Sequence, residues 1–132
     1  MAVNSRKIVI LAVFMISFIG SNLVVAQPRS KSDPIYQMAE IMHRLKHFPS
    51  PAGKETLQNI IENKSVSENQ RILATAIFNL QHHAMDADKQ KLKKIMEDKQ
   101  TSADERDLAS IIYNLDHRPT KEDKQRLQQM ME

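Results

Sequence analysis

Histidine recurs at one position of an internal repeat, and its imidazole is the group in this chain best suited to ligand chemistry. His47, His82 and His117 are spaced 35 positions apart. A ring-bearing residue stands four positions before each of them: His43, Phe78 and Tyr113. Because residues four apart share one face of a helix, the spacing predicts three ring–imidazole pairs on helical surfaces.

Two interpretations of this pattern stay open. A histidine at a helix end can hydrogen-bond the last carbonyl groups and interact with the helix dipole, which is a structural role. Alternatively, the rings form a surface for a peptide, protein or small ligand, because Tyr and His present an apolar body with a polar tip. The candidate binding residues, all on or beside the first helix of each repeat, are His47, Phe78, Asn79, His82, Tyr113, Asn114 and His117.

Metal binding is a narrower alternative. Packed helices lie about 8–10 Å apart, whereas zinc–imidazole bonds are about 2.0–2.1 Å long, so equivalent histidines are expected to be too far apart to share one ion. His43 and His47 are one turn apart and lie near two methionines, whose thioethers suit Cu(I). The alternative metal-ligating set is therefore His43, His47, Met38 and Met42. Both methionines also fit an apolar core stripe.

Catalytic motifs are missing from the sequence. The chain has no cysteine, and it contains no glycine-rich phosphate loop, Gly-x-Ser-x-Gly elbow or His-Glu-x-x-His helix. We therefore predict no catalytic residue, no cofactor and no enzymatic activity.

The histidines belong to a repeat that organises most of the chain. Between residues 67–97 and 102–132, 14 of 31 aligned positions are identical, and a weaker third copy begins at Ser32. The predicted domain, 32–132, thus divides into repeats at 32–66, 67–101 and 102–132. A repeat of this length is typical of stacked supersecondary units.

Apolar residues at helical spacing predict two helices in each repeat, joined by short connections as an antiparallel hairpin. Ser67 and Ser102 each begin a capping-box pattern, and Thr120 is the expected N-cap of the last helix. The expected fold is all-α: three stacked antiparallel hairpins that form a short open α-solenoid. A closed six-helix bundle is the alternative, since three repeats barely establish a superhelix.

The repeat resembles known families only in part. Its 35-residue period is similar to that of tetratricopeptide repeats, but the Trp-Leu-Gly-Tyr signature of that family is missing. Residues 120–125 resemble the Thr-x-x-Gln helix of periplasmic stress chaperones. Neither resemblance assigns a family, and the second keeps a stress or holdase chaperone among the alternatives.

The first 26 residues read as a signal peptide, with basic Arg6 and Lys7 before an apolar run that is too short for a spanning helix. Cleavage is expected between Ala26 and Gln27, which leaves a polar linker at 27–31 and no stable membrane anchor.

Removing the two leader cations from the balance of +3 leaves a net charge of +1. So small a charge does not indicate nucleic-acid binding. We expect a periplasmic or secreted protein with a protein or peptide partner.

Overall fold

A computed structural model describes residues 27–132. The predicted signal peptide lies outside these residues. Within them the chain forms six helices and no strand, which confirms the all-α class. The helices are α1 (Pro34–His43), α2 (Pro51–Glu62), α3 (Glu68–Phe78), α4 (Asp86–Glu97), α5 (Ala103–Tyr113) and α6 (Lys121–Met130). In this part of the chain, no helix has both the length and the apolar character needed to cross a membrane.

Side-chain caps begin the helices at the predicted serines and threonine. Ser102 Oγ accepts from the Glu105 N–H, and the Glu105 carboxylate accepts from the Ser102 N–H, which completes the predicted capping box of α5. Thr120 caps α6 in the same way. At α3 only half of the box forms, because Ser67 Oγ accepts from the Gln70 N–H at 3.2 Å without a reciprocal bond. Local sequence therefore sets where these helices start.

The start of α6 also contains a carboxylate with a shifted pKa. Burial alone would raise the pKa of Asp123. Hydrogen bonds from Arg126 and Thr120, together with the Arg126 charge, outweigh burial and hold the pKa of Asp123 below its usual value. The Arg126 Nη2 atom donates to the Asp123 carboxylate at 2.6 Å. The carboxylate is thus kept charged at the positive end of the helix dipole.

The six helices close on themselves. The first helices of the repeats, α1, α3 and α5, contact one another at the centre of the molecule. Each second helix packs most extensively on the first helix of the following repeat, α2 on α3 and α4 on α5, and α6 completes the cycle by packing on α1. An open stack would keep α1 and α6 at opposite ends. The open solenoid is therefore not confirmed for the described residues, and the contact between α1 and α6 corresponds to the alternative, a closed bundle.

Closure has a physical cause in the apolar stripes of the end helices. Three repeats have two exposed ends in an open stack, and terminal repeats without a polar outer face need another surface to cover them. Here α1 and α6 cover each other: Met38, Met42, Leu127 and Met130 are all buried. Burying apolar surface contributes about 25 cal/mol per Å², so pairing the two ends is favourable.

Alanine occupies one fully buried repeat position in each of the first helices. Ala39, Ala74 and Ala109 are equivalent in the repeat, and each is 0% exposed. A larger side chain at any of the three would have to displace its buried neighbours. The repeat therefore specifies a small residue at one buried position of its first helices.

Arg29, within the predicted linker, hydrogen-bonds to residues near the end of the described chain. Its guanidinium donates to the Met130 carbonyl at 2.9 Å and to the Asp104 carboxylate at 2.7 Å. Its backbone N–H donates to the Glu132 carbonyl at 3.1 Å. These contacts reinforce the junction of the first and last repeats.

Candidate functional site

The three repeated histidines lie in loops, beyond the helices that precede them. The C-caps of α3 and α5 are Asn79 and Asn114, three residues before His82 and His117. The imidazoles therefore lie beyond the helix ends, a position that does not fit the interpretation in which they cap the helices. Their position is set by the connection between the two helices of each repeat.

Backbone hydrogen bonds join the three loops to one another. The His82 N–H donates to the His47 carbonyl at 3.2 Å, and the His117 N–H donates to the His82 carbonyl at 2.7 Å. His82 and His117 adopt positive φ values of 70° and 64°. This left-handed conformation is favoured by Gly and is uncommon for other residues, among which Asn, Asp and His adopt it several-fold more often than the rest. Within residues 27–132, no matching bond from the His47 N–H completes the cycle.

The side chains of His47, His82 and His117 form a compact cluster on the surface, here called the histidine triangle. The ring centroids of His82 and His117 are 4.9 Å apart, those of His47 and His82 5.2 Å, and those of His47 and His117 6.1 Å. All three residues are exposed. The expectation that equivalent histidines lie a full helix spacing apart is therefore wrong, because they project from loops that converge where the first helices end.

The predicted ring–imidazole pairs do not form. Phe78 is half-buried against the core, and the Lys54 ammonium lies over its ring at 5.2 Å from the centroid. Tyr113 has the same environment, with Lys89 at 5.8 Å. Each aromatic ring is thus covered by a lysine from the second helix of the preceding repeat, as in a cation–π contact. Among the described residues, the ring contacts of the histidine triangle are with one another and include neither Phe78 nor Tyr113.

The two candidate asparagines make local hydrogen bonds. Asn79 Nδ2 donates to the buried carboxylate of Asp88 at 3.1 Å, which links the end of α3 to α4. Asn114 Nδ2 donates to the Ser110 carbonyl at 2.9 Å within α5. Both side chains therefore have structural partners at the helix ends.

The alternative metal-ligating residues lie in different environments. Met38 and Met42 are 0% exposed and belong to the hydrophobic core, whereas His43 is half-buried and His47 is exposed. Across residues 27–132, no group of three or more His, Asp or Glu side chains is arranged to hold a metal ion. The two methionines are accounted for by core packing.

Two exposed apolar side chains in the connections that carry the histidines were missed by the sequence analysis. Phe48, which directly follows His47, is 63% exposed, and Met85 is 49% exposed. Phe48 lines a groove of about 640 Å³ together with His47 and Ile41. Met85 occupies the N-cap of α4 without making a side-chain hydrogen bond. The exposed position of Met85 could have been recognised in the sequence as a departure from the repeat, since the equivalent residues Ser50 and Thr120 both cap their helices.

Comparison of the chain with protein-family models, curated proteins and solved structures finds no match.

Proposed function

We propose that the protein is an exported binding module whose ligand site is the histidine triangle and its surroundings. The observation that carries the proposal is the convergence of three exposed imidazoles, one from each repeat, within 4.9–6.1 Å of one another. The ligand is a peptide, protein or small molecule. The binding surface lies at the loops after the first helices, because the faces of those helices are largely buried in the core.

Backbone conformation supports a role for the imidazoles beyond forming a turn. Residues in sparsely populated backbone regions cost on the order of 1–3 kcal/mol and cluster at functional sites. Glycine would adopt φ values of 64–70° at lower cost, yet both loops have histidine there. Exposed Phe48 adds apolar contact area beside the imidazoles, as small-ligand sites require.

Replacing all three histidines by asparagine tests the proposal. Because Asn tolerates the left-handed conformation, the triple variant should lose less than about 0.5 kcal/mol of stability, or about 2–4 °C in Tm. Peptide and fragment libraries titrated into the labelled parent protein should shift amide NMR signals around the histidine triangle. The same compounds should shift nothing in the triple variant.

His83→Asn is the matched control, since His83 is exposed in the same segment and lies outside the triangle. It should bind as the parent protein does. Signal changes confined to α2, α4 and α6, or equal binding by the folded triple variant, would contradict the assignment. Phe78→Ala and Tyr113→Ala are expected to reduce stability rather than binding, because both rings pack against the core.

Metal handling, with copper among the metals, is a second candidate, and it rests on the spacing of the imidazole rings rather than on their present orientation. Three imidazoles on one ion, each bonded at about 2.0–2.1 Å, have ring centroids on the order of 5 Å apart. The rings would have to turn to direct their nitrogens at a single ion. Titration of the parent protein with Cu(II), Zn(II) and Ni(II), followed by calorimetry, separates this candidate from ligand binding. A metal function predicts 1:1 binding that the triple asparagine variant loses.

A further inference from the structure

A groove beside the histidine triangle has an unusual charge. It has a volume of about 630 Å³ and lies where the first and third repeats meet. We call it the basic groove, and its lining residues are His43, Arg44, Leu45, Lys46, His47, His117, Arg118 and Lys124. Four lysines and arginines line it and no carboxylate does. Since the chain outside its predicted leader is nearly neutral, this concentration of cations is local rather than a consequence of composition.

The other two junctions between repeats lack this charge. Lys46 is equivalent to Gln81 and Asp116. Arg44 takes the place of asparagine in the other copies, and Arg118 takes the place of Phe48 and His83. At these three repeat positions, Lys or Arg therefore replaces a neutral, acidic or titratable residue. All three cations lie at the junction of the first and third repeats.

Lys124 differs from its repeat equivalents in what lies beside it. Lys54 and Lys89 each lie over an aromatic ring, at 5.2 Å and 5.8 Å from the centroid. At the junction of the first and third repeats the equivalent ring residue is His43, which lines the basic groove with Lys124. The aromatic face that receives the ammonium group in the other two junctions is replaced there by an imidazole.

Carboxylates of the protein neutralise only part of this charge. Arg44 pairs with Glu40 at 2.9 Å, and His117 Nδ1 lies 2.7 Å from the Asp116 carboxylate. Lys46, Arg118 and Lys124 make no ion pair within residues 27–132. Like charges held in one concave site repel one another, and a bound anion would relieve that repulsion.

We propose that the basic groove binds a phosphate-bearing ligand. This inference rests on the proposed function, because the groove shares His47 and His117 with the histidine triangle. Guanidinium groups match phosphate oxygens through paired hydrogen bonds, and lysine contributes a mobile point charge. A volume of about 630 Å³ exceeds the needs of one phosphate and is in the range of small-molecule sites. The ligand is thus a larger phosphorylated molecule, either soluble or presented as a lipid headgroup.

Substituting residues from the protein's own repeats gives a sharp test. In the variant Arg44→Asn/Lys46→Gln/Arg118→His, the groove takes the side chains found at equivalent positions in other copies, so folding should be preserved. The matched control, Lys93→Gln/Lys94→Gln/Lys99→Gln, also removes three cations but lies away from the groove. The probes are pyrophosphate, measured by calorimetry, and vesicles of phosphatidylglycerol or phosphatidylcholine, measured by flotation.

The parent protein should bind pyrophosphate at one site, phosphatidylglycerol vesicles, or both. The groove variant should bind at least about tenfold more weakly, because it loses charge-assisted hydrogen bonds to the phosphate oxygens. The control should be unchanged. Pyrophosphate binding without vesicle binding assigns a soluble ligand, and vesicle binding without pyrophosphate binding assigns a headgroup.

Two results would overturn the inference: a parent protein that binds neither probe, or an equal loss of binding in the control variant. Either result leaves the proposed function standing if the triple asparagine variant still loses its library ligands. The opposite result is also distinguishable. If the parent protein binds pyrophosphate but library compounds shift only NMR signals remote from the triangle, the groove is supported and the proposed function is contradicted.

Discussion

Replacing Leu80 by alanine should lower the free energy of unfolding by about 2–5 kcal/mol, the usual cost of truncating a buried leucine. Leu80 is 2% exposed and belongs to the single core that all six helices share. The equivalent residues Leu45 and Leu115 are 5% and 6% exposed. Because a closed bundle gives every repeat two neighbours, Leu45→Ala and Leu115→Ala should cost nearly as much as Leu80→Ala. Urea titration of the three variants measures these losses.

An open stack predicts a different pattern for the same variants. Its end repeats have one neighbour each, so truncations at Leu45 and Leu115 would cost clearly less than the one at Leu80. Gln81→Ala, at an exposed position next to Leu80, is the control and should change stability by less than about 0.5 kcal/mol. Losses at the two end leucines below half the loss at Leu80 would contradict closure.

Enlarging Ala74 to leucine should cost about 1–3 kcal/mol, because overpacking forces side chains and backbone out of their preferred positions. Ala74 is 0% exposed on α3, a helix that contacts both α1 and α5. The added apolar atoms of leucine do not offset this cost by filling a cavity, because the space around Ala74 is already occupied. Thermal unfolding of the variant, compared with the parent protein, gives the effect as a drop in Tm.

Ala87→Leu is the matched control for this substitution. Ala87 lies on the exposed side of α4, where a larger side chain extends into solvent. It should change Tm little. If Ala74→Leu were tolerated as well as Ala87→Leu, the first helices would not be in close contact at the centre of the bundle.

Features governed by neighbours in sequence were predictable. The six helices and the caps at Ser102 and Thr120 follow from apolar spacing and from side chains that satisfy the first N–H groups of a helix. Closure was not predictable in this way. The same apolar stripe can be buried in an open stack or in a ring of helices, and the choice depends on how α1 and α6 meet at the two ends of the repeat region.

The candidate site was predicted only in part for a related reason. His47, His82 and His117 were identified from the repeat, but their convergence depends on loops whose direction helical periodicity does not specify. The pairing of each imidazole with a preceding ring assumed that the helix continues to the histidine, whereas α3 ends at Phe78. The charge around Lys46 was visible in the sequence as a departure from the repeat. Its meaning depended on knowing that the first and third repeats are adjacent.

The distance between the rings of His47 and His117 tests most directly whether closure assembles the histidine triangle. These residues are two repeats apart, and in an open stack their loops would be separated by about 16–20 Å, twice the usual helix spacing. In the closed bundle their ring centroids are 6.1 Å apart. Nuclear Overhauser measurements on the labelled protein, with each histidine assigned by single substitution, should therefore give ring-to-ring cross-peaks for all three pairs. Cross-peaks for His47–His82 and His82–His117 without one for His47–His117 would contradict the closed arrangement and the site built on it.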